Sequence, residues 1–366
     1  MSASGMPHAE PNMTPLETEE TLRRSVRARL DRLTKPQGSL GRLEDLVVEL
    51  CVIQGDLHPE VSQAELLLFA ADHGISDEGV SAFPRVVTAQ MVGNFLRGGA
   101  AASVLSRLHG CGLRVIDVGV DADLDPHPLL QQSKIARGTA NMLHADAMST
   151  AQLQKALQIG RDTATESIDR GNRVLLFGEM GIGNTSASSL LLAGFSGSSL
   201  AECVGPGTGL DTAGVARKLA ILEQVRGRIA ASPPPSDPVE AAHAMLQRWG
   251  GFEIAALVGA IGATVAARAV PLIDGFSVSV AALIADRLAP GVLRRCIFSH
   301  CSAEPAHAHL LRRIGVEPLL SLGLRLGEGS GALLALPLLR SSVAFYEQMA
   351  SFDDAGVSDR PKEDGP

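Results

Sequence analysis

Aromatic residues are scarce in this 366-residue chain: Trp and Tyr occur once each, and Phe, Trp and Tyr together make up 3%. Packing must therefore rely on Leu, Ala, Val and Ile, within a hydrophobic fraction of 45% and a mean hydropathy of +0.16 that suit a large globular core. A surplus of positive charge is also missing. A formal net charge of −8 and the lack of a dense Lys/Arg patch count against tracking of a DNA or RNA backbone. No basic segment followed by an apolar export run opens the chain, and MSASGMPHAEPNMTP reads as a mobile tail. The most apolar long stretch, GFEIAALVGAIGATVAARAV (251–270), carries Glu253, Arg268 and glycines, so a buried helix fits it better than a membrane span. The five cysteines (Cys51, Cys111, Cys203, Cys296 and Cys301) follow no zinc spacing. His300, Cys301, Glu304, His307 and His309 assemble into a metal site only on paper, and ordinary packing or polar roles suit them better. The odd cysteine count points to reduced thiols in a cytoplasmic protein. There is no internal repeat.

What is present is an alternation. Short apolar runs at 65–71, 113–120, 173–179, 269–275 and 296–300 read as strands. Between them lie longer Ala/Leu-rich helical patterns, among them 150–169, 213–231 and 252–268. Near-continuously apolar strands joined by helix-sized crossovers imply a mainly parallel sheet covered on both faces, an α/β three-layer sandwich. Before it, 16–58 is helical in pattern, interrupted at KPQGSLG (35–41). SPPPSDP (232–238) reads as a rigid loop. Polar and glycine residues follow each strand (ADHG, DVGVDAD, GEMGIGNT, DGFS, SHCSAE), and in a parallel sheet those ends share one edge, where a crevice can form.

Three segments carry the chemistry. LFGEMGIGNTS (176–186) reads as a strand turning tightly into a helix, whose free N–H groups suit an anion such as phosphate; a glycine turn capped by Asn or Thr, with no ligand, is the other reading. GPGTGLD (205–211) permits close backbone approach, and Lys218 follows it as a possible point charge. Neither segment completes the GK[ST] phosphate loop or the dinucleotide GxGxxG, which favours a nucleotide monophosphate over ATP or NAD. In LRLGEGSGALLALPLL (324–339), Glu328 sits between glycines beside an apolar helix. It reads either as a base of raised pKa or as an acidic residue stabilising the first turn of that helix.

Taken together and in order, KPQGSLGRLEDL, ADHGISDEGVSAFPRVVTAQMV, GEMGIGNTSASSLL, GPGTGLD, PLIDGFSVSVAAL, SHCSAEPAH and LGLRLGEGSGALLALPLL resemble the nicotinate-nucleotide–dimethylbenzimidazole phosphoribosyltransferase family, over about residues 16–350. The resemblance implies a parallel-sheet α/β domain at 61–304, a smaller helical domain from 16–60 and 305–350, flexible tails at 1–15 and 351–366, and a homodimer. It implies transfer of a phosphoribosyl group from nicotinate mononucleotide to a benzimidazole in cobalamin nucleotide-loop assembly, with no metal, cofactor, nucleic acid or membrane involved. Glu328 would be the catalytic base and Glu179 a second acidic group beside the reacting centre. Gly181, Gly183, Asn184, Thr185 and Ser186 would hold the nucleotide, with Gly205, Gly207, Thr208, Gly209, Lys218 and Ser302 on its phosphate side. Gln90 and Leu326, with Met180, would line the benzimidazole side; Asp72 and His73 look close to the site without an assigned role. Against this stand a nucleoside or sugar-phosphate kinase, which lacks a Walker lysine and a magnesium-carboxylate set, and a nucleotide sensor, which has little need of two carboxylates at an aromatic pocket.

Overall fold

The five apolar runs form parallel strands: β1 (Ala64–Ala71), β2 (Gly112–Gly119), β4 (Val174–Met180), β5 (Val270–Ile273) and β6 (Ile297–Phe298). A sixth strand, β3 (Leu130–Gln132), escaped the sequence reading because its three residues, LQQ, are partly exposed and carry no apolar run. The computed structural model describes residues 15–207, 209–230 and 235–358. The sheet order is β3-β2-β1-β4-β5-β6, so the chain builds outward from β1 in one direction and then returns to build from β4 in the other. Such a reversal opens a crevice beyond the carboxyl ends of the two central strands. Here Ala70 is level with Met180, which brings ADHG and GEMGIGNT to the same edge.

All eight residues of β1 are buried, as a strand covered on both faces requires. Leu67, Phe69 and Ala71 point into the main core with Phe177, Leu191, Leu257 and Ile261. Leu66 points to the opposite face, where Gly329 lies so close that a Cβ on it would come within 2.5 Å of the leucine.

The helices are, in chain order, α1 (Pro15–Arg32), α2 (Arg42–Gln54), α3 (Val87–Leu96), α4 (Ala101–Leu108), α5 (Thr150–Asp169), α6 (Asn184–Ser196) and α7 (Leu200–Cys203). They continue with α8 (Thr212–Ala230), α9 (Pro238–Trp249), α10 (Phe252–Ala266), α11 (Phe276–Leu288), α12 (Pro305–Ile314), α13 (Ser330–Gln348) and α14 (Phe352–Ala355). The apolar 251–270 stretch becomes α10, buried against β1 and α5. Glycines allow the approach: a Cβ on Gly160 would stand 1.8 Å from the Ala256 carbonyl oxygen, and one on Gly259 would stand 2.1 Å from that of Leu157. Among the described residues no helix is long and apolar enough to cross a membrane. Of SPPPSDP, the end that is described starts α9: the Asp237 carboxylate accepts the Val239 and Glu240 N–H groups at 3.0 and 2.8 Å, with Pro238 opening the helix.

The chain divides into two compact units. One runs from Glu60 to Ser341; the other takes the described residues before Glu60 and those from Ser342 onward. The boundary expected at residue 305 therefore falls at 342, inside α13, because α12 packs against α7 and α11 of the sheet unit. The smaller unit has its own core of Val26, Leu30, Leu33, Val47, Val48, Cys51 and Tyr346, with the Arg29 guanidinium 4.4 Å above the Tyr346 ring. In KPQGSLG, Lys35 is buried and pairs at 2.8 Å with the equally buried Glu44. The expected carboxyl-terminal tail is structured over its first eight residues: Leu33 bridges to Ser351, whose hydroxyl caps α14. The expected amino-terminal tail and residues 359–366 lie outside the described residues, apart from Pro15 at the start of α1.

Candidate active site

β4 ends at Met180 and α6 begins at Asn184, and the turn between them needs two glycines. Gly183 has φ 102, a left-handed conformation, and a Cβ on Gly181 would lie 2.3 Å from the Ala71 carbonyl oxygen. The turn is pinned from α3 by the Thr88 hydroxyl, which accepts the Ile182 N–H at 3.1 Å. No side chain caps α6. The Asn184 amide instead donates to the Glu179 carboxylate, and the Thr185 hydroxyl accepts from Lys218 at 3.0 Å. The reading of Asn and Thr as ordinary caps is therefore set aside: both are turned toward other charged groups.

Facing this turn is the RLGEG segment, where Gly327, Glu328 and Gly329 have φ of 82, 62 and 78 in succession. Glu328 is one of two non-glycine residues with positive φ among the described residues. The left-handed run presses its backbone onto β4: a Cβ on Gly327 would come within 2.7 Å of Glu179 Oε1. The first turn of α13 is capped by Asp274, whose Oδ2 accepts the Gly329 N–H at 3.0 Å and whose Oδ1 accepts those of Gly331 and Ala332 at 2.8 and 3.1 Å. Glu328 is thus relieved of the capping role. It is buried, and burial together with the negative charge of Asp274 raises its carboxyl to about 7. Burial, then the charges of Glu253, Asp274 and Glu328, push the partly buried Glu179 up to about 8, against the bond from Asn184.

The GPGTG segment closes the other side. Gly205 is needed there because a Cβ would fall 1.7 Å from Glu304 Oε1. Lys218 is wholly buried, donating to Thr185 Oγ1 and, at 3.4 Å, to the Gly205 carbonyl; burial lowers its pKa to about 8 against the opposing pull of Glu304. It is not among the residues lining the cleft and stands behind Thr185, which is. Ser302 donates through its hydroxyl to the Leu324 carbonyl at 3.0 Å, which anchors the start of the RLGEG segment. Its N–H donates at 3.0 Å to His307 Nδ1, so the other ring nitrogen carries the proton toward Ser279, and burial lowers this imidazole to about 3. Among the described residues no group of three or more His, Cys, Asp or Glu is placed to hold a metal ion.

These segments line an open cleft with a cavity volume of about 80 Å³. Of the expected residues, Glu179, Met180, Gly181, Asn184, Thr185, Gly207, Ser302, Leu326 and Glu328 line it. Gly183 lies behind it against His73, Ser186 is fully buried in α6, and Gly205 packs on Glu304. Gln90 is exposed on α3, and Gly209 also falls outside the lining. Thr208 lies outside the described residues. Sequence reading missed Phe276, His300, Glu304 and Arg325 as lining residues, although DGFS, SHCSAE and RLGEG contain or adjoin them. Asp72 and His73 sit below the lining: the Asp72 carboxylate accepts the Asp121 N–H at 2.8 Å, and His73 Nε2 is 2.6 Å from Glu253 Oε1.

A phosphoribosyltransferase family model matches residues 16–357. The nicotinate-nucleotide–dimethylbenzimidazole phosphoribosyltransferase of Cupriavidus necator is 47% identical over 348 residues, covering 95% of this chain and 98% of that protein. The chain belongs to the nicotinate-nucleotide–dimethylbenzimidazole phosphoribosyltransferase family. The relative of the same name from Dechloromonas aromatica is 49% identical over 339 residues, 93% of this chain and 96% of its own length. The crystal structure of CobT from Thermus thermophilus superposes with a TM-score of 0.87 at 40% identity, covering 93% of this chain and all of that one. Two carboxyls raised toward neutrality at a glycine-lined cleft supply acid–base capacity.

Proposed function

We propose that the cleft transfers the 5-phosphoribosyl group of nicotinate mononucleotide to 5,6-dimethylbenzimidazole, giving α-ribazole 5′-phosphate and nicotinate for cobalamin nucleotide-loop assembly. The observation that carries this reading is the contact between the Glu179 carboxylate and the Glu328 loop, with pKa values raised to about 8 and about 7. In the scheme, nicotinate leaves as a neutralised pyridinium and needs no general acid. Positive charge develops at C1′ and on the attacking benzimidazole. Glu328 takes the proton from one ring nitrogen as the other attacks, from the face opposite nicotinate, which inverts the β linkage. Raised pKa values keep part of this carboxyl pair protonated near neutrality, and the cationic pyridinium of the nucleotide favours the charged form, which readies the base and strengthens Glu179 as a support for positive charge.

The phosphate is assigned to Thr185, Gly207 and Arg325, all of which line the cleft. Met180, Phe276 and Leu326 give the apolar ring its surface, where one methyl commonly alters preference by roughly 1–3 kcal/mol. The reading extends to a three-layer sheet domain with a smaller helical companion, a homodimer and a cytoplasmic location. Five free cysteines are consistent with that location, and sedimentation of the purified protein tests the dimer. The decisive assay supplies nicotinate mononucleotide and dimethylbenzimidazole without ATP or added metal and resolves the products by chromatography. Glu328→Gln should slow single turnover about 10²–10⁴-fold while leaving nucleotide affinity nearly intact. A folded variant with a near-normal rate at saturating substrates removes Glu328 as the base.

A further inference from the structure

PLIDGFS places Asp274 just beyond β5, at the carboxyl edge of the sheet but outside the lining of the cleft. It is fully buried, and its two oxygens accept three N–H groups that bracket Glu328 on its carboxyl-terminal side: Gly329 at 3.0 Å, Gly331 at 2.8 Å and Ala332 at 3.1 Å. We propose that Asp274 is a positioning residue for the reaction, clamping the RLGEG turn so that the Glu328 carboxylate faces the cleft and setting the negative field in which it works. The proposal rests on Glu328 being the base.

The clamp has a definite task. Glu328 occupies the left-handed region at φ 62, which is strained for a residue with a Cβ, and its two glycine neighbours resist the same conformation only weakly. Without a constraint, the three-residue run would relax. Three backbone N–H groups donating to the Asp274 carboxyl supply that constraint. The surroundings are cut to fit: a Cβ on Gly331 would stand 2.0 Å from His300 Nδ1, and that nitrogen is 3.7 Å from Asp274 Oδ1.

The same carboxylate decides the sign of the field. The amino end of α13 presents partial positive charge, which by itself favours ionised Glu328 and makes it a weaker base. Asp274 absorbs those N–H groups and adds a negative charge on the other side. The further charged or titratable groups lining the cleft with Glu328 are Glu179 from β4, His300 after β6, Glu304 at the start of α12 and Arg325 on its own loop, and Glu253 from α10 bears on Glu179. After burial, the charge of Asp274 raises the Glu328 carboxyl, and the Glu179 and Glu328 carboxylates raise each other.

The test is single-turnover transfer from nicotinate mononucleotide to dimethylbenzimidazole across pH, in the full-length protein, for Asp274→Asn, Glu328→Gln and the pair combined. Asp274→Asn keeps the shape but removes the charge and turns an amide toward backbone donors. Its rate should fall by roughly 10²-fold, the scale of an ångström-sized misplacement. The acid limb of its pH profile should move below the wild-type position, and nucleotide affinity should hold within about threefold. In the Glu328→Gln background the same change should cost much less than in wild type, because Asp274 acts mainly through that side chain and only its charge on Glu179 remains. Should the Asn variant fail to fold, Asp274→Glu decides: a displaced but charged clamp should lower the rate and leave the acid limb in place. Wild-type rate and profile in folded Asp274→Asn or Asp274→Glu, or fully multiplicative losses in the pair, would overturn the proposal while Glu328→Gln remained slow. A fast Glu328→Gln would instead remove the base assignment beneath it.

Discussion

Gly178 on β4 supports the backbone of Glu328: a Cβ added to the glycine would lie 2.8 Å from both the carbonyl carbon and the oxygen of Glu328. The strand itself would accept Ala here, since Gly178 is not in a positive-φ conformation. Any penalty in Gly178→Ala therefore comes from the collision with the RLGEG turn. The variant should lose about 1–3 kcal/mol in chemical denaturation and transfer the phosphoribosyl group more slowly, with the defect in kcat rather than in nucleotide binding. Unchanged stability together with an unchanged rate would show that the turn moves freely over β4.

Lys218 gives a prediction that separates a buried brace from a phosphate contact. Its ammonium donates to Thr185 Oγ1 and the Gly205 carbonyl, and its charge opposes the burial that raises the Glu304 carboxyl. Lys218→Met keeps the length and removes the charge. It should lower stability by roughly 1–3 kcal/mol, the cost of stranding buried polar groups, and weaken the nucleotide more than the benzimidazole because Thr185 loses its anchor. Adding Glu304→Gln should recover part of the stability. Equilibrium titrations and melting curves of the three proteins check this; a pure affinity loss with no thermal change would return Lys218 to the phosphate.

The sheet was legible because strands buried on both faces must be apolar at nearly every position, as AELLLFAA in β1 is. β3 was not, since a three-residue edge strand leaves no periodicity to read. Glycines announced the turns of GIGNT and RLGEG: Gly183, Gly327 and Gly329 adopt conformations that favour a residue without Cβ. What sequence concealed were partnerships made by tertiary packing. Nothing near Asp274 in the chain signals that it caps a helix starting at Ser330, and nothing near Lys218 signals that its amine ends behind Thr185. The unit boundary at Ser342 was hidden because it falls inside the helix α13, not in a loop.

The Glu179–Glu328 pair also makes a prediction about stability and pH. Both carboxyls are raised from an ordinary 4.5, to about 8 and about 7. Between those limits the folded protein holds protons that the unfolded chain has released. The stabilising contribution of the pair is therefore complete below about pH 4.5 and is lost as pH rises toward about 8. Other buried groups shift stability too: His307, lowered to about 3, acts in the opposite sense as pH rises from its folded value toward 6.5. The measurement must therefore be a difference between wild type and Glu179→Gln/Glu328→Gln, with melting temperatures taken every half unit from about pH 4 to about pH 9. Amides do not titrate, so the double variant should gain on wild type steadily across the interval and the gap should level off above it. Melting curves that stay parallel from end to end would mean that neither carboxyl enters the folded protein with a raised pKa, and the case for a base poised near neutrality would go with it.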